Sequence, residues 1–266
     1  MWKEASGRKK LGWVVATIVM SYGVVVFVLT KVWYHDQMVE SFHFFNDLAE
    51  WKQLDKVAHA FWTFNVCVFV CRILRWSGLK ENIPIGALIG FLIVSTIEVM
   101  DGFSAGYGAS LFDLIANALG GTWFFVQHKI WGRIKLFNKF SFHFTSFAAL
   151  RPSLLGDGFL QEIIKDYNGQ TFWYSWSLEK KWWPSFLSIA VGLGAEGMVF
   201  GRDEQNELHH FSPYRKFYLS LDLNPTFFQS KKTWTQVMIY PLTLFKCPAP
   251  AIEFSTHGVR FHWLYF

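Results

Sequence analysis

The chain has 266 residues, of which 52% are hydrophobic, 20% are aromatic and only 17% are charged. A typical soluble domain is about 25% charged, so this balance argues against an ordinary water-soluble protein, and the 29 Phe and 14 Trp residues predict that part of the apolar surface meets lipid. The net charge of +5 is scattered and forms no long basic stripe, which excludes nucleic acid as a partner.

The first predicted element is an apolar helix from Leu11 to Trp33, long enough to cross a hydrocarbon core about 30 Å thick. The basic residues Arg8, Lys9 and Lys10 precede it, which is also typical of a signal peptide. However, no small-residue cleavage site follows, and the apolar stretch exceeds the roughly 7–15 residues usual in a signal peptide. We therefore predict a retained membrane anchor.

Three weaker apolar stretches follow, each interrupted by polar residues, at Ala58–Trp76, Pro84–Met100 and Ser110–Trp131. With the first helix they predict a bundle of about four apolar helices. Positive charges lie before the first helix, after the second and after the fourth, whereas the loop Asp101–Ala109 has none. By the positive-inside rule this pattern predicts four spans with both ends in the cytoplasm, and it favours the inner membrane of a bacterial envelope.

The pattern changes after Lys139, because long apolar runs give way to short alternating segments separated by Gly, Pro and Asn. Strands are predicted at Ser188–Val199, Arg215–Leu223 and Val259–Phe266, the first two with apolar residues on one face and small or polar residues on the other. We therefore predict an α+β membrane protein, with a helical membrane domain over residues 1–139 and a β-rich domain over 140–266.

The aromatic ending of the chain has two interpretations. Outer-membrane barrels commonly finish with an aromatic-rich strand and a terminal Phe, as this chain does at Phe266. The predicted strands are too few for even an eight-stranded barrel, which favours an open sheet packed on the helices. The outer membrane is therefore the alternative location.

Three of the predicted helices carry polar side chains at helical spacing. Asp55 and His59 are four residues apart and share a face of the second helix. Similar steps of three and four residues occur near the end of the third helix and at the start of the fourth. The predicted polar network consists of Asp55, Lys56, His59, Glu98, Asp101, Ser110, Asp113 and Asn117.

Ionisable side chains at membrane depth are costly unless they face a protein interior or a water-filled cavity. One hypothesis is a polar pocket in which Lys56 and His59 bind an anionic lipid or cell-wall-linked ligand, with membrane lipid as the partner. A second is a structural or assembly subunit of an envelope complex, in which the polar residues hold the helices together and other envelope proteins are partners.

Catalysis is the third hypothesis, as a membrane hydrolase or phosphotransferase. His59 would act as a general base oriented by Asp113, or His59, Glu98 and Asp101 would bind a divalent metal. No nucleophile motif, HExxH pair or phosphate-binding glycine loop supports either version. We therefore predict no cofactor and no metal, and we favour a protein that is not an enzyme.

A family resemblance rests on the same residues. The sequence has DKxxH at Asp55–His59, ExxDGFS at Glu98–Ser104 and SxxDxxxNxxG at Ser110–Gly120. In this order the motifs resemble YfiM-type envelope proteins of unknown function, distant relatives of VanZ-like membrane proteins. Further segments resemble longer members of that family: Ser41–Asp47, Lys165–Trp173, Gly194–Met198, Tyr218–Leu223 and the ending FHWLYF.

The resemblance implies an envelope protein without a settled biochemical activity. VanZ-like relatives are associated with low-level resistance to glycopeptide antibiotics of the teicoplanin type, which points towards envelope lipids or cell-wall precursors. YfiM-type relatives are often predicted lipoproteins or exported proteins, whereas this sequence has no lipobox cysteine near its start.

Overall fold

The structure, a computed structural model, describes residues 2–32, 39–77, 82–228 and 233–266. The helices are α1 (Trp2–Val32), α2 (Leu54–Trp76), α3 (Ile83–Gly102), α4 (Leu111–Trp131), α5 (Phe147–Leu150), α6 (Pro152–Leu155), α7 (Phe159–Lys165), α8 (Asp203–Leu208) and α9 (Thr233–Thr243). The strands are β1 (Phe137–Phe142), β2 (Gln170–Trp176), β3 (Leu187–Glu196), β4 (Tyr214–Leu223), β5 (Ala249–Ser255) and β6 (Gly258–Tyr265). The fold is therefore α+β, with a helical first half and strands in the second.

Local signals set the ends of the long helices. The Asn82 side chain caps α3 by accepting a hydrogen bond from the Ile85 N–H. The Ser110 side chain caps α4 in the same way through the Asp113 N–H. Gly132 ends α4 in the left-handed conformation, at φ 66°, which glycine adopts without a steric penalty.

The prediction of a bundle of four apolar spans is wrong. Among the described residues, two helical segments are long and apolar enough to cross a membrane, Glu50–Trp76 and Ile83–Gly102. The apolar part of α1 is the shorter stretch Val15–Val28, and Trp33, the end of the predicted first span, lies outside the described residues. Helix α4 is too polar to count as a membrane span, because its buried face carries polar side chains such as Asp113 and Gln127. This face packs against protein.

Helices α2, α3 and α4 pack against one another through glycines. A side chain at Gly86 or Gly90 of α3 would collide with the α2 cysteines Cys71 and Cys67. A side chain at Gly120 of α4 would collide with the backbone carbonyl of Ala60. The glycines thus allow the close backbone approach that brings the polar faces of the three helices together.

The β-rich second half forms one six-stranded antiparallel sheet in the order β1 to β6, each strand pairing with the next. Its first strands pack against α2: the ring of Phe61 lies 5.5 Å from that of Phe172 and 6.2 Å from that of Phe140. This aromatic contact is part of a buried core that also includes Leu54 and Tyr167. The predicted division at residue 139 falls within β1 and stays a prediction.

Candidate functional site

The polar residues of the three helices meet at one end of the helical region. Asp55, Lys56 and His59 lie in the first turns of α2, Glu98 near the end of α3, and Asp113 in the first turn of α4. We call this group, with its direct hydrogen-bond partners, the helical polar cluster: Asp47, Asp55, Lys56, His59, Thr63, Glu98, Ser110, Asp113, Asn117 and Tyr167.

Lys56 is surrounded by three carboxylates. Its Nζ atom lies 2.7 Å from a carboxylate oxygen of each of Asp47, Asp55 and Asp113. An ammonium group has three N–H donors and no acceptor, and Asp55 Oδ2 accepts a hydrogen bond from one of them. The positive charge of Lys56 is therefore offset by carboxylates within the cluster.

The tautomer of His59 is set by Asn117 and Thr63. His59 Nδ1 lies 3.2 Å from Asn117 Oδ1, and the Thr63 hydroxyl donates to the same oxygen at 2.9 Å. Because a carbonyl oxygen only accepts, the ring proton is assigned to Nδ1 and the lone pair to Nε2. The Nε2 atom lies 3.8 Å from the Oδ1 atom of Asp55 and 3.8 Å from that of Asp113.

Glu98 is buried in the cluster, with 2% of its surface exposed. Its Oε2 atom accepts a hydrogen bond from the Ser110 N–H at 3.0 Å. Its Oε1 atom accepts no hydrogen bond from any described residue and lies 3.6 Å from His59 Nδ1. Glu98 thus directs an unsatisfied carboxylate oxygen towards the cluster.

Ser110 joins α4 to the segment before α2. Its hydroxyl caps α4 and also donates to Asp47 Oδ1 at 2.6 Å. Asp47 is a cluster member that the predicted network omits, although it ends the SFHFFND segment on which the resemblance partly rests. No periodic pattern links Asp47 to α2, because it precedes the helix.

Tyr167 is the other cluster member that the helical spacing misses. It follows α7, and its hydroxyl donates to Asp55 Oδ1 at 2.6 Å. The resemblance includes this residue in the KDYNGQTFW segment, but only the fold shows that it reaches α2. Burial, followed by the charge of Asp55, raises the pKa of Tyr167, which keeps the phenol a donor.

Asp101 lies near the end of α3, three residues after Glu98. The carboxylates that pair with Lys56 or His59 among the described residues belong to Asp47, Asp55, Glu98 and Asp113. The other members of the predicted network do converge. The alternative metal site of His59, Glu98 and Asp101 therefore does not correspond to the observed grouping.

Four carboxylates outnumber the cationic groups of the cluster. Lys56 supplies one positive charge, and His59 is neutral in the assigned tautomer. Burial, followed by the nearby charge of Asp55, raises the pKa of Asp113 to about 10. The cluster therefore has a deficit of positive charge that a proton or a bound cation would relieve.

The backbone before α2 is strained. Trp51, Lys52 and Gln53 have positive φ angles of 51°, 51° and 62°, in the left-handed region that residues with side chains rarely adopt. The second half holds this turn, because Lys52 forms a 2.5 Å ion pair with Asp203 and its carbonyl accepts from Arg215. The turn fixes where α2 begins, and so where Asp55 points.

Three side chains of the cluster place potential metal-ligand atoms close together. One ligand atom from each of Asp55, His59 and Asp113 lies within 4.8 Å of the other two. Carboxylate oxygen and imidazole nitrogen are ligands of divalent first-row metals. Among the described residues, no other group of three or more such side chains meets this spacing.

The fold and the cluster define an α+β protein with a carboxylate-rich polar site between three helices. Residues 43–129 match the model of a family described as "Predicted periplasmic lipoprotein (DUF2279)". The matched segment contains α2, α3, most of α4 and the whole predicted polar network. No curated protein and no solved structure matches the chain.

The family match supports a location in the bacterial envelope. It agrees with the envelope part of the resemblance, while the links to YfiM-type and VanZ-like proteins stay predictions. The inner-membrane location also stays a prediction, and it loses the support of the four-span arrangement.

Proposed function

We propose that this envelope protein binds a divalent transition-metal ion through Asp55, His59 and Asp113. The observation that carries the proposal is the position of His59 Nε2, which lies 3.8 Å from one oxygen of each carboxylate. Lys56 Nζ, 2.7 Å from the same Asp113 oxygen, offsets part of the repulsion among these three electron-rich atoms, and a cation bound between them would offset the rest. Zinc with ligands at about 2.0–2.1 Å needs its ligand atoms about 3.4 Å apart, so small side-chain movements complete the site.

The charges favour a cation over the anionic ligand predicted from the sequence. Lys56 is already paired with three carboxylates, which offset the positive charge that would attract an anion. An anion would also enter a group of four carboxylates, which would repel it. A divalent cation instead relieves the charge deficit and leaves Lys56 in place.

The surroundings of His59 resemble those of metal-ligating histidines. Such residues usually donate their second ring N–H to a carbonyl or carboxylate oxygen, which fixes the ring and its tautomer. Asn117 Oδ1 has that role for His59, and the Tyr167 hydroxyl similarly supports Asp55. The side chains of Asp55 and His59 are 17% and 13% exposed, so these two ligands are not fully enclosed by protein.

The test is metal binding by the purified chain and by matched variants. Protein loaded with Zn²⁺ or Mn²⁺ and then dialysed should retain about one ion per chain by plasma mass spectrometry. Asp113→Asn and His59→Gln should weaken binding by at least the roughly 10–100-fold that loss of an outer-shell partner costs. Glu196→Gln, which removes a carboxylate paired with Lys216 outside the cluster, should bind as wild type does.

Two results would refute the metal proposal. The first is a wild-type chain that retains neither ion. The second is equal retention by wild type, Asp113→Asn and His59→Gln, because the ion would then lie elsewhere.

A structural role is the second candidate. The Tyr167–Asp55 hydrogen bond favours it, because this contact ties the second half of the chain to α2. In that case Asp113→Asn lowers the free energy of unfolding, and added Zn²⁺ changes the stability of neither wild type nor variant. A metal site predicts instead that Zn²⁺ stabilises the wild type selectively.

A further inference from the structure

The sheet exposes apolar side chains on the face where a sheet of a soluble protein normally carries polar ones. Directly paired residues lie on one face, and the register aligns an apolar row across all six strands: Phe140, Phe172, Leu193, Phe217, Phe254 and Val259. A second row on that face includes Tyr174, Val191, Leu219, Ile252 and Phe261. We call this face of the sheet the apolar face.

The opposite face is polar and buried. Lys139 forms a 2.6 Å ion pair with Asp222 there, and the two side chains are 3% and 0% exposed. The hydroxyls of Tyr218 and Tyr265 are hydrogen-bonded to each other at 2.9 Å on the same face. The sheet therefore buries Lys139 and Asp222 on one face and exposes large apolar side chains on the other.

Among the described residues, the apolar face is buried at its first strands and exposed further along. Phe140 and Phe172 are buried against Phe61 of α2. Further along the same row, Phe217 is 53% exposed and Val259 is 67% exposed. The exposed strands thus continue a surface that already serves as a buried interface.

We propose that the apolar face over β3 to β6 contacts the acyl chains of a lipid bilayer. An antiparallel sheet with one face in water normally directs that face's polar residues outwards, whereas a lipid-facing sheet shows the reverse. The two rows carry no charged side chain across these strands. Hydrocarbon needs no hydrogen bonds or ion pairs from the surface that it covers, so this composition suits it.

The distribution of exposed apolar residues favours lipid over a protein partner. Large apolar side chains are also exposed on α1, such as Val19 and Met20, and on α3, such as Leu88 and Leu92. A single protein interface of ordinary size covers one contiguous patch on its partner. A bilayer covers apolar surface on separate elements at once.

The experiment places a fluorescent label on the apolar face. Phe217→Cys and Leu219→Cys replace side chains that are 53% and 43% exposed, so neither change removes core packing. The background is Cys247→Ser, because Cys67 and Cys71 are buried. Glu204→Cys, on the exposed surface of α8, is the matched control.

Each labelled chain is reconstituted into phosphatidylcholine–phosphatidylglycerol vesicles that contain acyl-chain nitroxide lipid. Nitroxide should quench the labels at positions 217 and 219 several-fold more than the label at position 204, and aqueous iodide should show the opposite order. Iodide quenching at 217 and 219 equal to that at 204 would overturn the proposal. Protection from both quenchers would overturn it too, because protein would then cover the face.

Discussion

Tyr167 and Asp55 share a 2.6 Å hydrogen bond that joins the second half of the chain to the helical polar cluster. Tyr167 is buried, and Asp55 also pairs with Lys56. Tyr167, between α7 and β2, therefore gives the Asp55 carboxylate a hydrogen-bond donor in addition to those that the helices supply. The cluster depends on both halves of the chain.

Tyr167→Phe tests this dependence. The variant keeps the ring in the core but removes the donor to Asp55, so the free energy of unfolding should fall by about 1.5–3 kcal/mol, the range for a hydrogen bond to a charged group. Chemical denaturation followed by tryptophan fluorescence measures the change. Tyr174→Phe, at a residue 40% exposed, is the control and should change stability little. Equal effects of the two substitutions would contradict the importance of the Tyr167 contact.

Lys56→Met should be among the most destabilising substitutions in the helical half. The variant leaves the carboxylates of Asp47, Asp55 and Asp113 without their shared cation, and loss of one partner of a buried pair costs about 3–5 kcal/mol. Lys135→Met removes a lysine from a half-exposed pair with Glu179 and should cost less than about 1 kcal/mol. Denaturation midpoints of the two variants should therefore differ clearly. Similar midpoints would mean that Lys56 is not needed to neutralise the cluster.

Sequence spacing predicts much of the cluster, because several of its members lie three or four residues apart on one face of a helix. Asp55 and His59 share a face at a separation of four residues, and the same rule applies to Asp113 and Asn117. Asp47 and Tyr167 follow no such rule, since the path of the chain through the whole fold brings them to α2. Local periodicity carries no information on such contacts.

The predicted membrane spans were wrong for a different reason. An apolar run predicts burial, but it does not distinguish burial in protein from burial in lipid. In α4 the buried face includes Asp113 and Asn117, so the helix serves the polar cluster. Similarly, the alternation in β3 predicts two unlike faces but not that the face of Ser188 and Ala190 is the buried one.

Lys139 and Asp222 form the buried ion pair of the sheet, and a double-mutant cycle should expose its energetics. Lys139→Met alone removes the ammonium paired at 2.6 Å with the buried Asp222 carboxylate and should cost about 3–5 kcal/mol. Adding Asp222→Leu removes the remaining charge and should recover much of that loss, because well-packed apolar replacements of buried pairs are often neutral. Denaturation of the wild type, both single variants and the double variant measures the coupling. Additive losses would show that the two side chains act independently.

The buried amine of Lys246 should make the free energy of unfolding depend on pH. Burial lowers its pKa from 10.5 to about 8, although Asp222 and Cys247 oppose the shift. Between these two pH values the unfolded chain binds more protons than the folded chain, so this residue makes stability rise with pH across that window. Below about pH 8 both states are protonated, and the cost of burying the charge is fully present.

Lys246→Met removes the group and should remove this rise. The free energy of unfolding of wild type minus that of Lys246→Met should therefore be larger at the upper end of the window than at its lower end. Lys180→Met, at an exposed lysine, is the control and should leave the pH profile of the wild type unchanged. A difference between wild type and Lys246→Met that stays constant across the window would mean that the buried amine keeps its ordinary pKa, with Asp222 compensating its burial.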